Sequence, residues 1–200
     1  LSVVALEAPA SVSAEWVQQH VPNFPVLVEE FMYGREYSVE SFTAQGVHYF
    51  AGVTEKFIDA TTFVETGHVF PAELSPQQTR AITEYVASAL TALGVDNTPA
   101  HSEVMLTAGG PRLIETHTRV GGDWIPTLVH EVTGIDLYEL SVRIQENSAW
   151  NGAQEIFTQS SNNGYCGICY TLPPEAGKLI KSVSGQEQAK TMEGVLEVYL

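Results

Sequence analysis

The stretch HSEVMLTAGGPRLIETHTRVGGD, residues 101–123, restricts the fold of this chain more than any other segment. Apolar and polar residues alternate on both sides of a Gly-Gly pair, the pattern of two half-buried antiparallel strands joined by a tight turn. A three-residue loop of Ala108, Gly109 and Gly110, with glycine supplying the positive φ, sets Thr107 opposite Pro111. In that register Glu103 faces Glu115 and His101 faces His117. Side chains repeat with period two, so all four project from one face with Arg119 next along the same side, while Val104, Leu106 and Ile114 turn to the core.

Two acids directly across a strand pair repel, at a cost on the order of 0.2–1 kcal/mol, and a cation removes that cost. Hard divalent ions take carboxylate oxygens and complete their shell with water and substrate phosphates, which makes Glu103 and Glu115 a suitable partial shell for magnesium. Two other readings stand at this level. The acids are also ordinary chemistry for a solvated hairpin, with one of them paired to Arg119. His101, Glu103 and His117 also offer a nitrogen and oxygen set for zinc.

The rest of the chain supplies more strands and a few helices. A helix over 13–20 precedes a strand-like run over 24–31, and alternation resumes over 36–43 and 47–57 around an AQG turn, which predicts an antiparallel meander. SPQQTRAITEYVASALTALG begins with a serine cap and a proline and ends on Gly94, so it predicts a helix with Ala81, Ile82, Tyr85, Ala89 and Leu93 as its apolar stripe. Shorter helices are expected over 124–133 and 136–145, broken at Gly134. A polar loop over 146–164 separates a main domain, 1–148, from a small C-terminal subdomain, 149–200, built from GYCGICYTL, KLIKSVS, a helical QEQAKT and a last strand. Cys166 and Cys169 in CGIC read as buried strand cysteines, since no second pair completes a metal site. The blunt apolar ends suggest a fragment of a longer protein.

Charge narrows the partners. With 24 acids against 9 bases and a net charge of -15, the chain's field opposes nucleic acid and anionic membranes, so an anionic ligand must be held locally. No run approaches the roughly 18 apolar residues of a membrane span, no basic signal flank precedes the first apolar residues, and two cysteines imply no disulfide framework. The expected compartment is the cytoplasm.

HSEV...PRLIETHTRVGGD, preceded by VLVEEFMYGREYSVE, resembles the second half of an ATP-grasp domain, most closely that of ATP-dependent carboxylate-amine ligases that join amino acids. The resemblance covers about residues 25–145, with several blocks in the expected order. It implies an α+β, ATP-grasp-like fold, an antiparallel sheet with packed helices, with a small incomplete C-terminal α+β subdomain. It also implies ATP and Mg2+ (or Mn2+) as cofactors, and small-molecule carboxylate and amine substrates. The acid would be activated as an acyl phosphate and the amine would displace the phosphate. The oligomeric state, homo-oligomer included, stays open.

By the same resemblance Glu103 and Glu115 are magnesium ligands with His117 beside them, and Arg119 is the cation that holds the transferring phosphate. Glu29, Glu30, Phe31 and Met32 are assigned adenine contacts and Glu36 the ribose contact. His68 lies near the reacting carboxylate, and Gly121 and Gly122 let substrate approach the backbone. Two features depart from the family pattern. His117 stands where many members carry asparagine, and the glycine-rich flap, the nucleotide-binding lysines and the N-terminal substrate domain are absent from these residues, so either they are expected upstream of Leu1, the favoured reading, or this fragment binds ATP poorly. A non-catalytic nucleotide- or metal-binding module of the same fold, and a carboxylase or carbamoyl phosphate synthase-like subunit, are the competing expectations.

Overall fold

Six antiparallel strands form one sheet in the computed structural model, in the order β5-β4-β1-β2-β3-β6. The structure describes residues 19, 29–60, 62–146, 150, 152–160, 164–171 and 179–199. β1 (Gly34–Ala44), β2 (Val47–Ile58) and β3 (Glu65–Phe70) form a meander, and β4 (Thr98–Thr107) and β5 (Gly110–His117) form the hairpin at one edge. β4 pairs with β1, so the two hairpins share a continuous ladder. The strand expected over 24–31 falls largely outside the described residues, and Glu29, Glu30 and Phe31 are irregular. The third strand of the meander is instead β3, whose ETGHVF does not alternate cleanly enough to stand out in the sequence.

Period-two alternation divides the sheet into two faces. Tyr37, Val39, Val53, Ala100 and Val104 pack beneath α1 (Pro76–Ala92), which buries Ile82, Val86 and Leu90 against them. Each such burial contributes about 1.5–3 kcal/mol. The buried stripe is therefore one of i, i+4 and i+8, and Leu93, expected to be inward, is exposed because it lies beyond the last full turn as the C-cap. At the other end Ser75 and Gln78 form a capping box, as the serine-proline start predicts.

Among the described residues, helices pack on the opposite face along one end. Phe42, Ala44 and Phe70 pack there with α2 (Ile125–Thr133), α3 (Leu137–Glu146) and α4 (Ala153–Gln159). The Asp136 carboxylate accepts from the Tyr138 and Glu139 backbone N–H groups and so caps α3. α4 lies in the segment expected to be a loop. Its apolar residues are too few to signal a helix, but Ala153 is buried and Phe157 stacks on Tyr49 with ring centroids 5.4 Å apart.

β6 (Cys166–Cys169) pairs with β3 as the sixth strand, so the first compact unit extends through Cys169, past the boundary expected at 148. Cys166 is half-buried against the helical core while Cys169 is exposed, because an edge strand has one face without cover. The second unit, residues 170–200, carries α5 (Gln186–Lys190) and no strand among its described residues. No helix among the described residues is long and apolar enough to cross a membrane.

Candidate active site on the polar half of the sheet

The remaining half of the second face carries polar side chains from five strands. Glu36, Ser38 and Glu40 alternate with the α1-facing residues of β1, so they share a face with Phe42. Ser38 is opposite Glu103, and Glu40 is opposite His101. Across the next ladder Glu103 is opposite Glu115 and His101 is opposite His117. On the other side of β1, Lys56 lies one residue beyond the Tyr37–Glu55 pair and is itself opposite His68.

The expected facing of Glu103 and Glu115 is present, by a different route. The turn has two residues, Ala108 and Gly109, and pairs Thr107 with Gly110, whose φ is +98°. The Thr107 hydroxyl stabilises this turn by donating to the Gly110 carbonyl and accepting from Gly109 N–H. A bulge between Glu103 and Val104 then gives β5 one extra residue, Ile114, and restores the register at the acids. Leu113, rather than Ile114, is therefore the residue opposite Val104.

Lys56 is the hub of the site. Its Nζ lies 2.8 Å from Glu36 Oε1, 2.7 Å from Glu65 Oε1 and 2.7 Å from Glu103 Oε1, with 2% of its side chain exposed. Burial disfavours its ammonium, but hydrogen bonds and charge from Glu103 and Glu36 outweigh this and raise its pKa above the ordinary lysine value. Removing one partner from a buried ion pair of this kind typically costs about 3–5 kcal/mol.

His101 links the hub to the depth of the sheet. Its Nδ1 is 2.7 Å from Glu40 Oε1 and its Nε2 is 3.2 Å from Glu103 Oε1. Burial opposes the imidazolium, but the bonds to Glu103 and Glu40 prevail and raise its pKa to about 9, so both ring nitrogens donate at neutral pH. At Glu103 burial acts upward, and hydrogen bonds from His101 and Lys56 overcome it and hold the carboxyl down to about 2. Glu65 is lowered to about 2 chiefly by His68, whose Nε2 lies 3.3 Å away, and by Lys56 against the effect of burial. At Glu36 burial wins despite the Lys56 contact, and its pKa is raised.

The remaining expected site residues are placed as follows. Glu115 is half exposed, and its Oε1 is 3.0 Å from His117 Nε2. β5 ends at His117, so Arg119 sits in the loop beyond the ladder, exposed, with Nη1 donating to the Val120 carbonyl rather than to Glu115. Gly121 passes over the Glu40–His101 pair: a Cβ there would lie 2.9 Å from Glu40 Oε2 and 3.0 Å from His101 Nδ1, whereas a Cβ at Gly122 would meet nothing within 4 Å. His68 is fully buried on β3. Met32 is half-buried, and Glu29, Glu30 and Phe31 are exposed just ahead of β1.

Sequence reasoning assigned no role to Lys56, Glu65 or Glu40. The alternation of Glu36, Ser38 and Glu40 on β1 was the available signal, but the partners of these residues depend on a bulge in β2 between the pairs Ser41–Phe50 and Glu40–Gly52. Among the described residues, the acid and histidine groups whose ligand atoms lie within 4.8 Å of one another are Glu36–Glu65–Glu103 and Glu65–His68–Asp123. The donors are mostly carboxylate oxygens, which suit a hard divalent ion, and Glu40 Oε2 is buried without a protein hydrogen-bond partner. The chemistry of the donor set fits magnesium better than zinc.

A six-stranded antiparallel sheet with helices packed on both faces and a cluster of acids on one of them frames this site. Residues 3–127 match the family model of the ATP-grasp domain, and the chain belongs to the ATP-grasp family. It is 28% identical over 184 residues to dapdiamide A synthase of Enterobacter agglomerans, a match covering 88% of this chain and 42% of that protein. It is 30% identical over 130 residues to alanine–anticapsin ligase of Bacillus subtilis (strain 168), covering 58% of this chain and 27% of the ligase. The L-amino acid ligase of Bacillus licheniformis is similar in structure, with a TM-score of 0.69 at 27% identity over 81% of this chain and 41% of that one. The chain thus spans less than half the length of each of these relatives.

Proposed function

We propose that the protein containing this chain is a magnesium-dependent, ATP-using ligase that activates a carboxylate, an amino acid by its relatives, as an acyl phosphate and joins it to an amine. The observation that carries this reading is the cross-strand facing of Glu103 and Glu115 at the open rim of the acidic belt, with Arg119 in the loop that follows. Similarity to amino acid ligases over most of the chain supports the same chemistry.

Glu103 and Glu115, with His117 alongside, would hold the divalent ion, which when bound neutralises charge on the nucleotide phosphates. Phosphoryl transfer asks the protein for position and charge more than for covalent help. Arg119 presents a planar donor fork to the transferring group from an exposed loop, free of any carboxylate contact among the described residues. The segment Glu29–Met32 ahead of β1 would offer main-chain groups to the adenine edge, and Glu36 would accept from the ribose hydroxyls. His68 would orient the reacting acid through Glu65, and the Gly121–Gly122 backbone would border the substrate.

The full-length protein, assayed for phosphate release from ATP across a panel of amino acid pairs, should turn over only with a divalent ion, an acid and an amine together. Tight binding of ATP and Mg2+ with no amide formed from any pair would replace this reading with that of a non-catalytic module.

A further inference from the structure

An ammonium has three N–H donors, and Lys56 meets three carboxylates. Glu36 on β1, Glu65 on β3 and Glu103 on β4 each place one oxygen 2.7–2.8 Å from Nζ, so the donors are used within the protein and none remains for a phosphate. These same acids bring ligand oxygens within 4.8 Å of one another, a spacing suited to one small cation at their centre. The ammonium is that cation. It is almost fully buried and ties up Glu103 Oε1, which also receives His101.

We propose that Lys56 is a positioning residue that serves as an internal counter-cation: it holds Glu36, Glu65 and Glu103 together and competes with the divalent ion for Glu103. The protein alone then takes a divalent ion weakly and takes it well only with nucleotide phosphates, whose charge and oxygens compensate for those engaged by Lys56. The proposal rests on the ligase reading for the role of Glu103 as a metal ligand. It differs from a purely structural role in sign. A lysine needed only to keep the acids in place would, on removal, let them move apart and so weaken folding and metal binding alike. A competing cation would, on removal, weaken folding and strengthen metal binding.

The test uses full-length protein and Mn2+ as the probe, with free Mn2+ followed by electron paramagnetic resonance in the absence of nucleotide. Lys56→Met and Lys56→Gln should each bind Mn2+ at least about tenfold more tightly than the wild type, as expected when a unit positive charge is removed a few ångströms away. Mn2+ should also raise the melting temperature of both variants more than that of the wild type, because the ion replaces the lost ammonium. Folded variants that bind Mn2+ no better than wild type would overturn the proposal, as would variants that no concentration of Mn2+ can refold. Wild-type protein is titrated in parallel with a non-hydrolysable ATP analogue. If Mn2+ still fails to bind there, the ligase reading falls as well. If it binds there and the variants gain nothing, only the role of Lys56 is lost.

Discussion

Glu103 and Glu115 stand opposite each other on β4 and β5, and the extra residue Ile114 brings them level. Glu103 is tied to Lys56 and His101, whereas the Glu115 side chain is 51% exposed and, among the described residues, pairs with His117 alone. Glu115→Gln should therefore abolish Mg2+-dependent turnover while changing stability by no more than about 0.5 kcal/mol. Turnover and thermal unfolding measured on the same preparation check both halves, and retained turnover would remove Glu115 from the metal site.

Among the described residues, the exposed Arg119 donates a hydrogen bond to the carbonyl of its neighbour Val120 and meets no carboxylate. Arg119→Lys keeps the charge and loses the two-pronged donor geometry, so kcat should fall by about tenfold or more while the melting temperature is unchanged. Equal kcat in the lysine variant would show that a point charge suffices there.

The two adjacent glycines should respond differently. Gly121→Ala puts a methyl against Glu40 and His101, which are buried and cannot move aside cheaply, so the loop carrying Arg119 must shift and both stability and kcat should drop. Gly122→Ala meets open space and should be close to neutral. Urea denaturation of the pair is the measurement, and equal midpoints would contradict the packing described.

Glu65 provides a pH test of the hub. Its pKa is lowered from 4.5 to about 2 by His68 and Lys56, so its contribution to stability is fully present above pH 4.5 and is lost as pH falls through about 2. The stability gap between wild type and Glu65→Gln, measured by urea unfolding in metal-free buffer, should be largest near about pH 6 and should shrink steadily as the pH is lowered below about 4. A gap that does not change over that range would mean Glu65 is not held by the ion pair.

Local patterns made much of this legible without coordinates. Ser75, Pro76 and Gly94 bracket α1 because capping and backbone preference act within a few residues, and the alternation in residues 36–57 and 101–117 marks both hairpins for the same reason. The facing of Glu103 and Glu115 was also legible, although the loop length behind it was not. The two-residue turn differs from the expected loop by one residue, and the bulge at Ile114 offsets that difference. β3, β6 and α4 were missed or placed in another domain because each is short and is stabilised by what it packs against rather than by its own pattern.

The chain's own order of residues determined that it forms antiparallel hairpins with paired acids on one face, since side-chain direction along a strand follows from backbone geometry alone. Only the tertiary structure decided which acids share a cation. Lys56, Glu65 and Glu103 lie on three strands, with Glu103 remote in sequence from the other two, and their meeting depends on strand order and on the bulges between β1 and β2 and between β2 and β3, quantities set by packing of the whole sheet against its helices. Long-range register of that kind leaves no local trace, because each strand could satisfy its own alternation next to several different neighbours.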